Sequence, residues 1–552
     1  MSSQEIPVLI VGGGPGGLIE SIELTNRGVE HLLVNDRAAP AKLPKLDIAN
    51  TRTMEILRRI GVSDAVRKAG PPSNRPTRVT FKRLQIEPPI AELGPGSTPM
   101  VPYESVDVFN QMIRDHNDGT LPLETNQRIS QMFLEPVLLS HAQASALADI
   151  RFGTKLVGFE EDADGVTAEI QEVESGATTR VRCRFLVGCD GASSTVRAAL
   201  GIKMEGASNI GVMSSFFIRS AELAALDPEG VPWHSWTMLP GESGPVVSVD
   251  GDELFVVHAS GEHADPNATL EKWVGRPFEY ELLNVGSWNL NLLVAHRYTT
   301  KRIFLTGDAA HQYIPTYGLG YNTAAIDVTN LAWKLAAVEQ GWGGDELLAS
   351  YEAEQRPLAL ARAAIAGSGA QAMGEWQAGV RPEVSEDSDR GAAHRRDLAE
   401  SIPRIHGVMY ESLGVELGFR YGDSPIVDAD GTPEPAFDPA CFSPTTWPGG
   451  RLPHVFLEDG SAIFDRLGLG FTLVVTKGGA ESEVDRFSGA AVSRGVPFEV
   501  LVVDEPRIAK LYERRFVLVR PDQHVAWRGN EIPVDPLSVI DRIRGARPAA
   551  IS

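Results

Sequence analysis

The chain is poor in cysteine. Among 552 residues only Cys183, Cys189 and Cys441 occur, and no two stand in a CxxC or metal-ligand spacing. That excludes a disulfide framework and a cysteine-built zinc site, and it suits a reducing compartment. Long hydrophobic runs are also missing: no window approaches roughly 18 uninterrupted apolar residues, so no membrane span is expected. Positive charge is the third shortage. The 51 Lys+Arg against 73 Asp+Glu leave a net charge of −22, a surface that repels nucleic-acid phosphates and anionic membranes. The opening MSSQEIPVLIVGGG leads into a strand without the basic region or cleavage pattern of a signal peptide. The expectation is a cytoplasmic protein that engages neither nucleic acid nor membrane.

Glycine is plentiful, with 54 residues, and three glycine-rich turns carry the information. The first 37 residues read as strand (Ile6 to Val11), glycine turn, helix and second strand (HLLVN), with Gly28 as the helix stop. In that setting Gly12-x-Gly14-Pro15-x-Gly17 has a separate job for each glycine. Gly12 makes the tight turn, Gly14 lets a pyrophosphate approach the backbone, and Gly17 lets helix and strand pack closely. The helix N-terminus then offers free N–H groups to phosphate oxygens. A ribose-binding carboxylate about 18 residues past the last glycine would fall on Asn35, with Asp36 and Arg37 beside it. Asp36 is favoured for that role, Asn35 is the neutral alternative, and a plain polar strand end is the third reading.

The second turn is Asp190-Gly191 at the end of RFLVGCDG, which an ordinary strand-to-helix turn explains equally well. The third is RIFLTGDAAHQYIPTYGLGYN, residues 302–322. Here Gly307-Asp308 follows a short apolar strand, and Gly318 and Gly320 stand before a helical pattern beginning near Asn322. A carboxylate at a strand end can accept a hydrogen bond from a sugar-like hydroxyl. Glycines at a helix start leave N–H groups for developing negative charge. His311 reads as a buried structural histidine before it reads as a proton carrier. One turn suits ADP and another suits a polyol chain beside an electron-accepting ring, and FAD has both parts.

Elsewhere a helix is expected at Thr51 to Ile60 and another at Ile129 to Ala146. Residues 155–188 read as three strands joined by Asp164-Gly165 and Ser175-Gly176 turns. Residues 210–300 are strand-rich. A long helical region from Asn322 to about Leu398 is expected to break at Arg356-Pro357. Six prolines between Pro433 and Pro453 mark a boundary, beyond which HVFL, FTLVV, FEVLVV and FVLVR alternate with short helices, ending near Pro536 to Ile543.

Taken together, VLIVGGGPGG, NTRTMEILRRIGV, RISQMFLEPVLL, FLVGCDGASSTVR, RIFLTGDAAHQYIP and NLAWKLA resemble the single-component FAD aromatic hydroxylases, the para-hydroxybenzoate hydroxylase-like flavoprotein monooxygenases. LVRPDQHVAWRG resembles the thioredoxin-like tail of their phenol and polyketide hydroxylase branch. The resemblance implies an α/β fold: a Rossmann-like FAD-binding domain (1–75, 121–204, 301–365) interleaved with a mixed-sheet substrate domain (76–120, 205–300). A helical connecting region (366–432) and a thioredoxin-like C-terminal domain (433–552) follow. It also implies that Arg52 contacts the FAD diphosphate, Gln131 the ribityl or diphosphate region, and backbone at Leu156 the adenine. Asp308 would bind the ribityl chain, and Pro315, Gly318, Leu319, Gly320, Tyr321 and Asn322 would line the ring. Asp190 and Gly191 would support both FAD and the nicotinamide donor. Four positions depart from the family pattern: Asn35 for Glu, Ile314 and Tyr317 where Pro and Gly are common, and Ala324 for a frequent Gly.

The implied reaction consumes NADH or NADPH and dioxygen, and inserts one oxygen atom into a phenolic or polyketide-like ring through a flavin C4a-hydroperoxide. The working unit is expected to be a monomer or homodimer. Trp233, Trp236, Phe255, Trp273, Tyr280 and Trp288 are candidate cavity walls, with core packing the plainer role for each. Baeyer–Villiger, epoxidising or dehydrogenating chemistry is the nearest alternative, and a non-catalytic dinucleotide-binding regulator is a remote one. No metal site and no substrate-deprotonating base is identified.

Overall fold

Val8, Leu9 and Ile10 are fully buried, as an unbroken apolar run requires of a strand covered on both faces. The computed structural model describes residues 4–95, 103–262, 265–478 and 481–546. The expected domain limits at residues 1 and 552, and residues 96–102 of the 76–120 segment, lie outside the described residues. Strand β1 (Gln4–Val11) runs through the glycine turn into α1 (Pro15–Asn26), which stops where Gly28 turns left-handed (φ +74°) before β2 (His31–Asn35). Helix α2 (Thr51–Arg59) is capped by Asn50, whose side chain accepts the Thr53 N–H, and ends in Arg58 and Arg59, charges that suit a helix C-terminus.

Helix α3 spans Gln131–Ala142, shorter at both ends than expected. Its start is delayed because Gln127–Arg128 are drawn into a short ladder with Ile48–Ala49, leaving Ser130 as the N-cap. β3 (Thr178–Gly188) and β4 (Ile303–Leu305) complete the centre of a seven-stranded sheet, in which β2, β1, β3 and β4 run parallel. The first half of β3 also pairs antiparallel with Val166–Glu172, which pairs with Thr154–Glu161.

The expected single helical region is three helices: α4 (Leu319–Glu339), α5 (Ala349–Gly379) and α6 (Asp389–His406). Pro357 lies inside α5 and does not break it. Its ring removes one donor to the carbonyl a turn earlier. Beside it Arg356 ties the helix outward, to the Ala295 carbonyl and Glu205 (both 3.1 Å). The break falls at residues 340–348, where Gly341 is left-handed (φ +82°).

An eight-stranded sheet is built from residues 204–312 together with Val79–Lys82 and Ala91–Leu93. Its edge strand His311–Gln312 belongs to the third glycine-rich stretch, so that stretch joins the two sheets. The tail carries a four-stranded sheet in the order Phe498–Val502, Phe471–Val475, Phe516–Val519, Val525–Gly529. HVFL is not a strand. Between Pro453 and the Leu457–Gly460 turn it keeps only a bridge from Phe456 to Ala462, and Val525–Gly529 takes the fourth place. The tail core includes Trp333 of α4 and Trp342, so the tail is built onto the first domain's helix. Among the described residues no helix is long and apolar enough to cross a membrane.

Candidate cofactor site

The three glycine-rich turns meet at the carboxyl ends of β1, β3 and β4, where open parallel sheets place their ligands. Gly12 is left-handed (φ +112°), and a Cβ there would fall 2.3 Å from the Cys189 carbonyl oxygen. A Cβ at Gly17 would fall 2.0 Å from the Gly12 oxygen, so this helix start rests directly on the turn. At Gly14 a Cβ would meet nothing within 4 Å. Gly14 is also the N-cap of α1 and offers no side-chain cap. The spare room and the free N–H groups of the first turn coincide.

Asn35 faces inward. Its Oδ1 accepts the Gly13 N–H (3.0 Å) and its Nδ2 donates to the Arg37 carbonyl (3.3 Å), pinning the turn from the end of β2. Asp36 is exposed and its carboxylate makes no hydrogen bond within the described chain. Arg37 pairs with Glu135 (3.2 Å), which also accepts from Gln131 Nε2 and the Ala41 N–H (both 2.5 Å). Arg37 and Gln131 are thus bound to one buried carboxylate. Leu156 has a buried side chain at an irregularity between two antiparallel strands.

Arg52 is turned away from the turns. It is 2% exposed, and its terminal nitrogens donate to Glu55 (3.0 Å), Gln523 (2.8 Å) and the Asp522 carbonyl (2.8 Å). Both are therefore committed to the tail interface, where the family resemblance implies the diphosphate. Lys45 is the exposed cation whose charge acts on Asp308, and no sequence signal marks it.

The second turn is a closed cap. Asp190 accepts from the Ser194 hydroxyl (2.5 Å) and the Val196 N–H (3.0 Å), with Gly191 left-handed at φ +79°. Burial pushes the Asp190 pKa up, against these hydrogen bonds. Arg197 donates to the carbonyls of Ala192 (2.7 Å) and Ala309 (3.0 Å), tying the second turn to the third.

In the third turn Asp308 behaves unlike its neighbours. Its side chain reaches solvent and has no hydrogen-bond partner in the described chain. Yet the surrounding protein strips enough water to push its pKa up, against the charges of His311 and Lys45. Asp308 is thus an accessible carboxylate that protein crowds without bonding.

Beneath it Asp327, fully buried on α4, accepts from the Gly307 N–H (3.0 Å) and His311 Nε2 (2.7 Å). His311 is buried, stacks on Tyr313 at 4.8 Å, and anchors the turn as a structural residue. Asp327 was missed in the sequence, although a lone Asp within AAIDVTNLAWKLA is the signal that could have found it.

Helix α4 begins at Leu319, not near Asn322, with left-handed Gly318 (φ +62°) as its uncapped N-cap. The free N–H groups therefore belong to residues 319–321, close behind Pro315. A Cβ at Gly320 would meet nothing within 4 Å. Tyr321 is half-buried. The Asn322 side chain is spent on the chain, accepting the Asn50 N–H (2.9 Å) and donating to the Ile48 and Gly318 carbonyls (3.2 and 2.7 Å). Tyr317 is left-handed (φ +58°), a conformation that costs a non-glycine residue about 1–2 kcal/mol. Its ring lies on Gly369 of α5, where a Cβ would fall 2.7 Å from Cε2. Of the aromatic candidates, Trp273 and Phe255 are core residues, whereas Trp288 and Tyr280 are only half-buried.

What remains unpartnered is an acceptor for hydroxyls (Asp308), two uncapped helix N-termini, and two glycines facing open space. An extended ligand with a phosphate part and a polyol part fits that set, and FAD is such a ligand. The fold and the three turns define a FAD-binding oxidoreductase.

Comparison with known proteins agrees. The model of the FAD binding domain matches residues 5–366, and that of the aromatic-ring hydroxylase C-terminal domain matches residues 445–545. The FAD-dependent monooxygenase apdD of Emericella nidulans is 33% identical, over 95% of this chain and 88% of its own. The 2,4-dichlorophenol 6-monooxygenase of Cupriavidus pinatubonensis is 30% identical, over 98% and 96%. Among solved structures, the rebeccamycin biosynthetic enzyme RebC with reduced flavin superposes with a TM-score of 0.89 at 31% identity, over 99% of this chain and 100% of that one. Aklavinone-11 hydroxylase with FAD and aklavinone gives 0.80 at 28%, over 98% and 99%. The chain belongs to the FAD-dependent aromatic hydroxylases, a family of flavoprotein monooxygenases.

Proposed function

We propose that this enzyme uses NADH or NADPH and dioxygen to insert one oxygen atom into a phenolic or polyketide-like aromatic molecule. The observation that carries the reading is the unpartnered Asp308 carboxylate near two uncapped helix N-termini. Bound FAD would supply hydride acceptance and oxygen activation. The chain's part is to hold and polarise. Asp308 accepts from a ribityl hydroxyl, and the first turn of α1 takes the diphosphate with Gly12, Gly14 and Gly17 shaping the approach. Asp36 serves the ribose, and backbone at Leu156 meets the adenine. N–H groups of residues 319–321 would meet the ring and favour negative charge there. Arg37, Arg52 and Gln131 act at one remove, by fixing the elements that carry these groups. The eight-stranded sheet walls the substrate side, in line with the interleaved domains 76–120 and 205–300, and the segment from 433 completes the protein as a thioredoxin-like unit without a dithiol.

The purified protein should be yellow with one non-covalent FAD. At least one phenol or polycyclic aromatic should stimulate NAD(P)H oxidation and yield an oxygenated product. A colourless protein that fails to bind added FAD ends this reading.

A further inference from the structure

The tail sheet ends in a strand that no described segment covers. β5 (Phe471–Val475) pairs on one side with β6 (Phe498–Val502), and β6 has no second neighbour in the described chain. The two strands run parallel. At one end the Phe471 N–H donates to the Pro497 carbonyl (2.9 Å), and at the other the Val503 N–H donates to the Val475 carbonyl (2.8 Å). These bonds fix the alternation along β6. Residues 497, 499, 501 and 503 turn their backbone groups toward β5, and Phe498, Val500 and Val502 turn theirs outward. Phe498 meets the Phe487 ring of α7 (Glu481–Ser493) edge-on at 5.7 Å, so the same three side chains lie on the α7 face. On that face Val500 and Val502 are 39% and 57% exposed, whereas Leu501 on the other face is buried.

The other edges of the three larger sheets are guarded against a stray strand. In the seven-stranded sheet Ala148–Phe152 carries the ion pair of Asp149 and Arg151. Thr154–Glu161 carries exposed Lys155 and Glu160 and an irregularity between Leu156 and Gly158. β4 is closed by the bond from the Leu305 N–H to the Tyr298 carbonyl (2.8 Å). In the eight-stranded sheet Ala91–Leu93 is three residues long with Glu92 held by Arg78 (2.7 Å), and His311–Gln312 is two residues long. At the far edge of the tail sheet the Val525 N–H donates to the Gly450 carbonyl (2.8 Å), and the Val525 carbonyl accepts the Gly449 N–H (2.7 Å). β6 has no lysine, no bulge and no covering loop among the described residues, and all its outward-bonding positions are apolar.

We propose that β6 pairs antiparallel with β6 of a second copy of this chain, about a two-fold axis through Val500. An antiparallel pair exchanges reciprocal bonds at every second residue, and about this axis Val500 meets Val500, and Phe498 meets Val502, of the second copy. All the outward backbone groups of β6 are then bonded, by about six new hydrogen bonds. The two four-stranded sheets become one sheet of eight strands. Because the axis runs through the sheet, both α7 helices lie on one face, and the exposed valines cover one another. Charge agrees with this register. Glu499 stands opposite Leu501 of the second copy, which matters in a chain of net charge −22. The neighbouring register, which pairs Phe498 with Val500, would set Glu499 against itself.

The test follows the full-length, FAD-loaded protein by analytical ultracentrifugation. The wild type should form a dimer with a dissociation constant on the order of 1–10 µM, as a small interface gives. Val500→Lys sets two ammonium groups against each other on the axis. It should weaken the dimer by about 10-fold or more while FAD content stays at the wild-type value. Val500→Cys should cross-link on mild oxidation, because the Cα atoms of a hydrogen-bonded pair stand about 5.5 Å apart, within disulfide reach. Val173→Cys, equally exposed but in the FAD-binding part of the chain, should not. A wild type that stays monomeric up to about 100 µM overturns the proposal. So does a dimer that Val500→Lys leaves intact, and so does a Val500→Cys variant that cross-links no more than Val173→Cys. Should the lysine variant fail to fold, the cross-link decides.

Discussion

Two polar regions of this protein are built on opposite plans. At the tail interface the charges are buried and paired. Glu55 takes Arg52 at 3.0 Å and Arg451 at 2.9 Å, and Glu354 takes Arg520 (2.6 and 2.9 Å) and Lys334 (2.7 Å), with none of these side chains more than 2% exposed. At the cofactor cleft Asp308 has no partner in the described chain, and the starts of α1 and α4 carry no side-chain cap. Burying a charge is tolerable only with partners, so the interface can be permanent architecture. A charge left single beside free helix ends is reserved for something that comes and goes.

The largest test of that contrast removes a carboxylate from the interface. Glu354→Ala leaves Lys334 buried without its carboxylate and Arg520 with Asp522 alone, and should destabilise the protein by about 3–5 kcal/mol in denaturant unfolding. The loss should also depend on pH. Burial would raise the Glu354 pKa, but Arg520 and Lys334 hold it down at about 2, below its ordinary 4.5. A depressed folded-state pKa gives stability that is present above 4.5 and lost as pH falls toward 2. The gap between wild type and Glu354→Ala should therefore narrow below pH 4.5. An unchanged unfolding midpoint in the variant would break the comparison.

The next test compares two glycines of one turn. Gly17→Ala places a Cβ 2.0 Å from the Gly12 oxygen, so it must push α1 off the turn. It should cost about 1–3 kcal/mol, as overpacking does, and lose FAD as well. Gly14→Ala meets nothing in the chain and should leave the apoprotein's melting temperature unchanged while weakening FAD binding. Equal destabilisation of the apoprotein by both changes would show that the space at Gly14 is not reserved for a ligand.

Smaller again is Asp308→Ala. Loss of a charge-assisted hydrogen bond should weaken FAD binding by about 1.5–3 kcal/mol, roughly 10- to 150-fold. No described group loses a hydrogen bond with that carboxylate, so the apoprotein should melt near the wild-type temperature. Asp308→Asn should be milder, because its oxygen still accepts. Wild-type FAD affinity with an unfolded apoprotein would make Asp308 a turn residue and nothing more.

Local chemistry was legible in the sequence, and distant chemistry was not. The requirement for glycine at 12 and 17 and the strand end at Asp308 follow from short-range geometry, and both are visible in a few residues. The partners of Arg52 were illegible, because Asp522 and Gln523 lie 470 and 471 positions away and no local pattern reports them. Pro357 misled in another way, because helix propensity is a weak prior once a long helix is held by tertiary contacts. Tyr317 is the instructive departure. Where glycine would adopt a left-handed backbone freely, this chain strains a tyrosine and makes room for its ring at Gly369, and the conflict shows only when both positions are seen together.

The smallest effect is expected at Cys441, which tests whether the tail's role is wholly structural. The thiol is half-buried and in no disulfide, and neither are Cys183 and Cys189, which belong to the FAD-binding part of the chain. Thiol–disulfide exchange needs a second cysteine to resolve the mixed disulfide, and the tail has none. What the tail does supply is the set of partners that neutralise Glu55 and Glu354, together with a core shared with Trp333. Cys441→Ser should therefore leave turnover, FAD content and melting temperature at wild-type values, with and without added reductant. Reductant-dependent activity in the wild type that disappears in the variant would mean that the paired interface hides a redox device.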